Sequence, residues 1–301
     1  MFEKVNAGHP DKMADRLAGA VVDLVYERAG GLTKANPRVA CEVMAGHGRV
    51  DVQIETSLGR LDLRADDLDP LIHRLFGERV EGNVLIAPQD AHLSENQTRG
   101  LRCGDNGIFR GCPPTEEQRV LTAIAATIYG SIPYDGKYII EQRDGQWDLT
   151  VCQSHLSREQ EPELRQMLKE AYNVHLPTIN PLGPWTGGID VDCGCTNRKL
   201  GSDMGDGVTG GGLMGKDLSK ADVSVNIVCF LKAVASGQVV TAICSIGDES
   251  VTFTYADGRT ETERFADIVE QARLYILTNC GGSFERFAEW GLLRPLAQVI
   301  P

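Results

Sequence analysis

One order of helices and strands recurs three times along this chain of 301 residues, and the recurrence narrows the fold more than any other feature. Met13, Leu17, Val21, Leu24 and Val25 share one face of a helix predicted from about Pro10 to Arg28, which opens on a proline. The alternating run Val50 to Ser57 reads as a strand, and Leu68 to Phe76 as a second helix. The order returns with a helix from about Thr115 to Tyr129 opened by Thr-Glu-Glu, strands through Lys137 to Glu141 and Trp147 to Cys152, and a helix from about Glu159 to Tyr172. It returns again with a helix from about Leu218 to Ala235, strands around Val239 to Ile246 and Ser250 to Tyr255, and a helix from about Arg264 to Ile276. The first helices start roughly a hundred residues apart, too far for a solenoid repeat and suited to three similar α+β domains. We expect these at residues 1–98, 99–178 and 179–301. Residue identity between the thirds is negligible, so the repeat is one of pattern.

Unusual loops precede the first helix of each third: Gly8-His-Pro-Asp-Lys12, Cys103-Gly-Asp-Asn-Gly107 and Gly210-Gly-Gly-Leu-Met-Gly-Lys-Asp217. Loops that feed helix N-termini are common anion and metal sites. The stretch Asp192 to Asp222 sets Arg198, Lys199, Lys216 and Lys220 around a glycine-rich turn between aspartates, the chemistry that holds a polyphosphate with its divalent metal. Gly210 to Lys216 fits Gly-x-x-x-x-Gly-Lys. Asp217, however, stands where a P-loop needs Ser or Thr, and the polar run 197–209 stands where it needs a buried strand. Taken singly, His9 also reads as a helix cap, Asp11 as a first-turn charge, Asp105-Asn-Gly as a plain turn and Trp185 as core. Cys193-Gly-Cys195 lacks the second ligand pair of a zinc site.

A net charge of −12 argues against a general binder of nucleic acid or anionic membranes, so any anionic ligand must meet a local basic pocket. Nine cysteines without framework spacing read as reduced thiols. The N-terminus has no signal-peptide core, and the most apolar stretch, Val223 to Gly247, is broken by Asn226, Lys232 and Gln238. The expectation is a soluble cytoplasmic protein.

Gly8-His-Pro-Asp-Lys12 with Met13-Ala-Asp15, Ala40-Cys-Glu42, Gly104-Asp-Asn-Gly107, Asp192-Cys-Gly-Cys-Thr-Asn-Arg-Lys199 and Gly210 to Asp222 resemble, in that order, the motifs of the S-adenosylmethionine synthetases (methionine adenosyltransferases). The resemblance runs from about Phe2 to Arg294. It implies three similar α+β domains about a pseudo-threefold axis. It also implies a reaction in which the methionine sulfur attacks C5′ of ATP and expels tripolyphosphate, which the same site cleaves to pyrophosphate and phosphate. A thioether carries no proton, so attack needs no general base, and the catalytic burden falls on charge developing at the leaving group.

By resemblance, His9 lies against the bridging oxygen beside C5′, while Lys137, Arg198, Lys199, Lys216 and Lys220 hold the phosphates. Asp11 and Asp222 match magnesium-binding aspartates, two ions per site, and Glu42 matches the carboxylate for a monovalent cation, normally potassium. Asp105, Asp192, Lys220 and Ile246 match residues around methionine and the nucleoside. Glu55 matches the methionine-binding carboxylate in an ungapped count and Gln53 in a count from the following Thr-Ser. Trp185 falls at the adenine-stacking position, and Gln89 at the edge of an active-site loop expected from about Gln89 to Gly100. The family pattern further implies a homodimer with sites at the subunit interface, the Glu55 and Asp105 side of one subunit meeting the lysine side of the other, and leaves a tetramer open. Segments usual in the family are missing between Ser57 and Val84, between Gly111 and Tyr134 and beyond Pro295, and the loop before Lys216 is one residue shorter. Two other readings are a catalytically silent nucleotide-binding relative acting as a regulatory subunit, and a tripolyphosphatase or nucleotide hydrolase. Retention of His9, Asp11, Lys216 and Lys220 favours the synthetase.

Overall fold

The computed structural model describes residues 1–59, 62–92 and 100–295. The chain opens with β1 (Phe2–Val5) and α1 (Pro10–Arg28), followed by the hairpin β2 (Val39–Gly46) and β3 (Arg49–Thr56), then α2 (Asp69–Phe76) and β4 (Glu81–Pro88). Next come β5 (Gly107–Gly111), α3 (Glu116–Ser131), the hairpin β6 (Gly136–Arg143) and β7 (Gln146–Gln153), α4 (Glu161–Tyr172) and the short β8 (Thr178–Ile179). The last part holds β9 (Gly194–Cys195), α5 (Leu200–Met204), α6 (Ala221–Ser236), β10 (Val240–Cys244), β11 (Ser250–Tyr255), β12 (Thr260–Arg264), α7 (Phe265–Asn279) and α8 (Phe284–Trp290).

Local signals account for several boundaries. The His9 side chain accepts from the Asp11 N–H at the start of α1, and proline fills the first position. Thr115 and Gln118 form a reciprocal capping box on α3. The third helix of the recurrent pattern differs from expectation, starting at Ala221 rather than near Leu218. Asp217, fully buried, accepts from the backbone N–H groups of Ser219 and Val39, so residues 218–220 are held in a turn against β2.

Among the described residues the strands form three four-stranded sheets, β1-β6-β7-β8, β12-β11-β10-β5 and β4-β3-β2-β9, a mixed α+β architecture. Each sheet is built on a sequence-local hairpin and takes strands from elsewhere. Phe2 on β1 lies opposite Ile140 on β6, Gly111 on β5 opposite Val240 on β10, and Cys195 on β9 opposite Met44 on β2. The larger hydrophobic core joins α1, β2, β3, α6, α7 and α8, and a second core lies among α3, β6, β7 and α4. Helices α1 and α8 approach so closely that a Cβ on Gly19 would lie 2.6 Å from the Phe284 carbonyl oxygen. Among the described residues no helix is long and apolar enough to cross a membrane.

Candidate active site

The first group of candidate residues gathers where β9 crosses the start of α1. A Cβ on Gly194 would lie 2.0 Å from the Pro10 carbonyl oxygen, so only glycine admits this crossing. Asp11, 2% exposed, accepts from the Cys195 N–H at 2.9 Å and from Lys199 Nζ at 2.7 Å, with the Arg198 guanidinium at 3.6 Å. Burial pushes the Asp11 carboxyl up, but the hydrogen bonds from Lys199 and Cys195 outweigh it and hold the group below its ordinary value, ionised. His9 Nδ1 accepts from the Asp11 N–H at 3.2 Å, which leaves Nε2 as the protonated, donating nitrogen. Burial and the nearby Lys199 charge push the imidazole down to about 4, so it is neutral at pH 7. Lys137 and Asp192 also act electrostatically on His9. Lys137 pairs with Glu3 at 3.1 Å across β1 and β6, and Asp192 accepts from the Cys193 N–H at 2.8 Å.

The second group sits at the start of α6. Lys216 Nζ donates to Asp222 Oδ2 at 2.6 Å, and a Cβ on Gly211 would lie 2.0 Å from Asp222 Oδ1, so the glycine turn wraps directly over this pair. Lys220 precedes α6 and forms no ion pair among the described residues. A cavity of about 450 Å³ is lined by Asp105, Asn106, the 210–212 glycines, Lys216 and Asp222. Asp105 thus has a lysine neighbour within its own chain, whereas the resemblance implied one across a subunit boundary. Asn106 Oδ1 accepts from the Ile246 N–H at 2.7 Å, which brings the two loops matched to methionine together. No hydrogen bond or ion pair among the described residues joins a side chain of the first group to one of the second.

Trp185, 38% exposed, donates from Nε1 to Asn180 Oδ1 at 3.3 Å and walls a cavity of about 460 Å³ with His155, Ser157 and Pro184. Glu42 accepts from the Thr196 hydroxyl on its way into the Arg198-Lys199 segment. Gln53 and Glu55 are exposed on the same face of β3, with Gln53 opposite Glu42. Gln89 follows β4, and its N–H donates to the Thr56 carbonyl at 3.0 Å. Residues 93–99 of the expected active-site loop lie outside the described residues. Among the described residues no three His, Cys, Asp or Glu side chains cluster as a metal cage. Asp11 and Asp222 instead offer one carboxylate each beside a lysine, a donor set that suits Mg²⁺ held mainly by phosphate oxygens and water.

Sequence reasoning missed the charges beneath the site. Lys12, fully buried, donates to Asp15 at 3.0 Å and to Asp203 at 2.6 Å, while Asp15 accepts from the Asn197 N–H at 2.8 Å. Lys4, also fully buried, donates to the carbonyls of Ser202 and Trp290. Their place within an apolar-periodic helix and a four-residue strand gave no sign of burial. Asp135 accepts from the Gly188 N–H at 3.0 Å, and burial, with Asp192 nearby, raises its carboxyl to about 6. A carboxyl raised in the fold contributes stability that is complete below the unfolded value near 4 and is lost as pH rises through 6. Asp135→Asn should therefore be more stable than the parent at pH 8, by up to about 2–3 kcal/mol, and equal to it near pH 4. Urea unfolding at the two pH values measures this, and a difference independent of pH would refute it.

No family model matches the chain. Over 97% of this chain and 93% of its own, a structure described as an unusual S-adenosylmethionine synthetase from Campylobacter jejuni superposes with a TM-score of 0.68 at 19% identity, a likeness of fold. Among proteins of established name, the S-adenosylmethionine synthase of Ruegeria pomeroyi is 30% identical, over 74% of this chain and 69% of its own length. Those of Cereibacter sphaeroides and Rhodopseudomonas palustris are 27% and 26% identical over the same share of this chain. The fold resembles that of the Campylobacter jejuni structure, and paired basic and acidic residues stand at two helix starts. The chain belongs to the S-adenosylmethionine synthase family.

Proposed function

We propose that this chain is a methionine adenosyltransferase that joins L-methionine to ATP and then cleaves the tripolyphosphate. The observation that carries this reading is the pairing of lysine and aspartate at the starts of α1 and α6, Lys199 with Asp11 and Lys216 with Asp222. Both pairs are largely buried, so the cations are held in place before substrate arrives, the condition for electrostatic stabilisation of a leaving group. Arriving phosphate oxygens take over the lysines, with Arg198, Lys137 and Lys220 closing around the chain. Neutral His9 donates from Nε2 to the oxygen released at C5′. Bound Mg²⁺ at Asp11 and Asp222 would add Lewis-acid neutralisation of the polyphosphate, and Glu42 would hold K⁺. Trp185 stacks the adenine, while Glu55, Gln89, Asp105, Asp192 and Ile246 surround methionine.

The proposal extends to three units divided after residues 98 and 178 about a pseudo-threefold axis, and to a cytoplasmic homodimer. Support for the dimer comes from the outer sheet faces, where Met44, Leu85, Ile108 and Ile243 are 58%, 60%, 65% and 69% exposed, and Ile108 and Ile243 are cross-strand partners. Incubation with ATP, methionine, Mg²⁺ and K⁺ should yield S-adenosylmethionine by mass spectrometry together with pyrophosphate and phosphate. ATP hydrolysis without the sulfonium product would overturn the reading in favour of a hydrolase.

A further inference from the structure

Asn197 lies between the two charged groups and touches both segments that carry them. Its backbone is left-handed, φ 62°, and its N–H is fixed by Asp15 at 2.8 Å. Its side-chain amide engages both main-chain groups of Met214, with Oδ1 accepting from the Met214 N–H at 2.8 Å and Nδ2 donating to the Met214 carbonyl at 3.3 Å. One side chain thus supplies a rung of ladder at Met214, next to the rung where the Gly215 carbonyl accepts from the Cys41 N–H at 2.7 Å and Lys216 bridges Ala40 on β2. A Cβ on Gly212 would lie 2.7 Å from Asn197 Cγ, so the amide fills the underside of the glycine turn. Gly215 then turns at φ 78° between the clamped Met214 and Lys216. Arg198 and Lys199 follow Asn197 directly on the other side.

We propose that Asn197 is a positioning residue, which locks the Gly210 to Met214 turn onto the Thr196 to Lys199 segment and, together with the Lys216–Ala40 bridge to β2, sets where Lys216 stands for a polyphosphate. The idea rests on the phosphate-binding reading above, but the clamp itself can be measured without it. Asn197→Gly keeps the left-handed backbone and removes only the amide. In that variant the Met214 amide should exchange with solvent at least about tenfold faster, while amides in the middle of α1 keep their rates. Calorimetric affinity for Mg²⁺-tripolyphosphate should fall about tenfold or more. In the active enzyme the KM for ATP should rise in parallel, with the KM for methionine within about twofold of the parent.

Unchanged Met214 exchange would overturn the clamp. Faster exchange with unchanged tripolyphosphate affinity would overturn its positioning role. If the parent protein bound tripolyphosphate yet made no S-adenosylmethionine, the functional proposal would fail while the exchange and calorimetry still decided this one.

Discussion

Lys12→Met should cost about 3–5 kcal/mol of folding free energy, because it leaves Asp15 and Asp203 facing each other in the core with no cation between them. Burial alone would push the Lys12 ammonium down, yet the two carboxylates raise it above its ordinary value, so the lysine is charged in the native state. Asp15 is already raised to about 6 by burial, against the pull of Lys12. Losing that pull raises its folded value further, and stability is then lost as pH rises through the new value. The variant should accordingly be weaker at pH 8 than at pH 5.5, and a second change, Asp203→Asn, should return part of the loss by removing the repulsion. Urea titrations followed by tryptophan fluorescence give the numbers. A loss below about 1 kcal/mol at pH 8 would mean that water or a rearranged side chain reaches the cluster.

On the proposed function, Lys216→Met should lower kcat for S-adenosylmethionine formation by about 100- to 1000-fold, the range seen when one preorganised partner of developing charge is removed. Its side chain sits 2.6 Å from Asp222 in the cavity under the glycine turn, so methionine there also leaves Asp222 without its cation. The KM for methionine should change little. Because no hydrogen bond or ion pair among the described residues joins the two charged groups, a sharper test is available. If each site takes Lys216 from one protomer and Asp11 from the other, co-expression of Lys216→Met with Asp11→Asn should restore about a quarter of parental activity, since random pairing leaves that share of sites intact. Two inactive variants that stay inactive together would place Lys216 and Asp11 of each site in the same protomer.

Some local features agree closely between sequence and structure, although the hairpin strand β2 (Val39–Gly46) was not expected. Helix α1 runs from Pro10 to Arg28 because its cap, its proline and its apolar stripe all lie within the same stretch. The pairing of Lys216 and Asp222 follows the same logic, six residues apart across a turn into α6. Strands β1, β5 and β9 were invisible because runs of two to five residues carry no usable alternation, and what makes them strands is a partner far along the chain. Lys4, Asp15 and Asp203 belong to residue types that are mostly exposed, and only the packing of α5 and α8 onto α1 and β1 encloses them. Asn197 gave no signal either, since its partner Met214 is reached through folding rather than spacing.

The borrowed strands also bear on how the protein is made. While a ribosome elongates the chain, β5 emerges with Gly107–Gly111, but its ladder partner Val240–Cys244 does not yet exist. Roughly 130 residues must be added before it does, about 6–26 seconds at ordinary translation rates. Through that interval the Gly107–Gly111 segment has no sheet to join, and its apolar Ile108 and Phe109 are left without their folded partners. Slowing elongation after residue 111 would lengthen that interval.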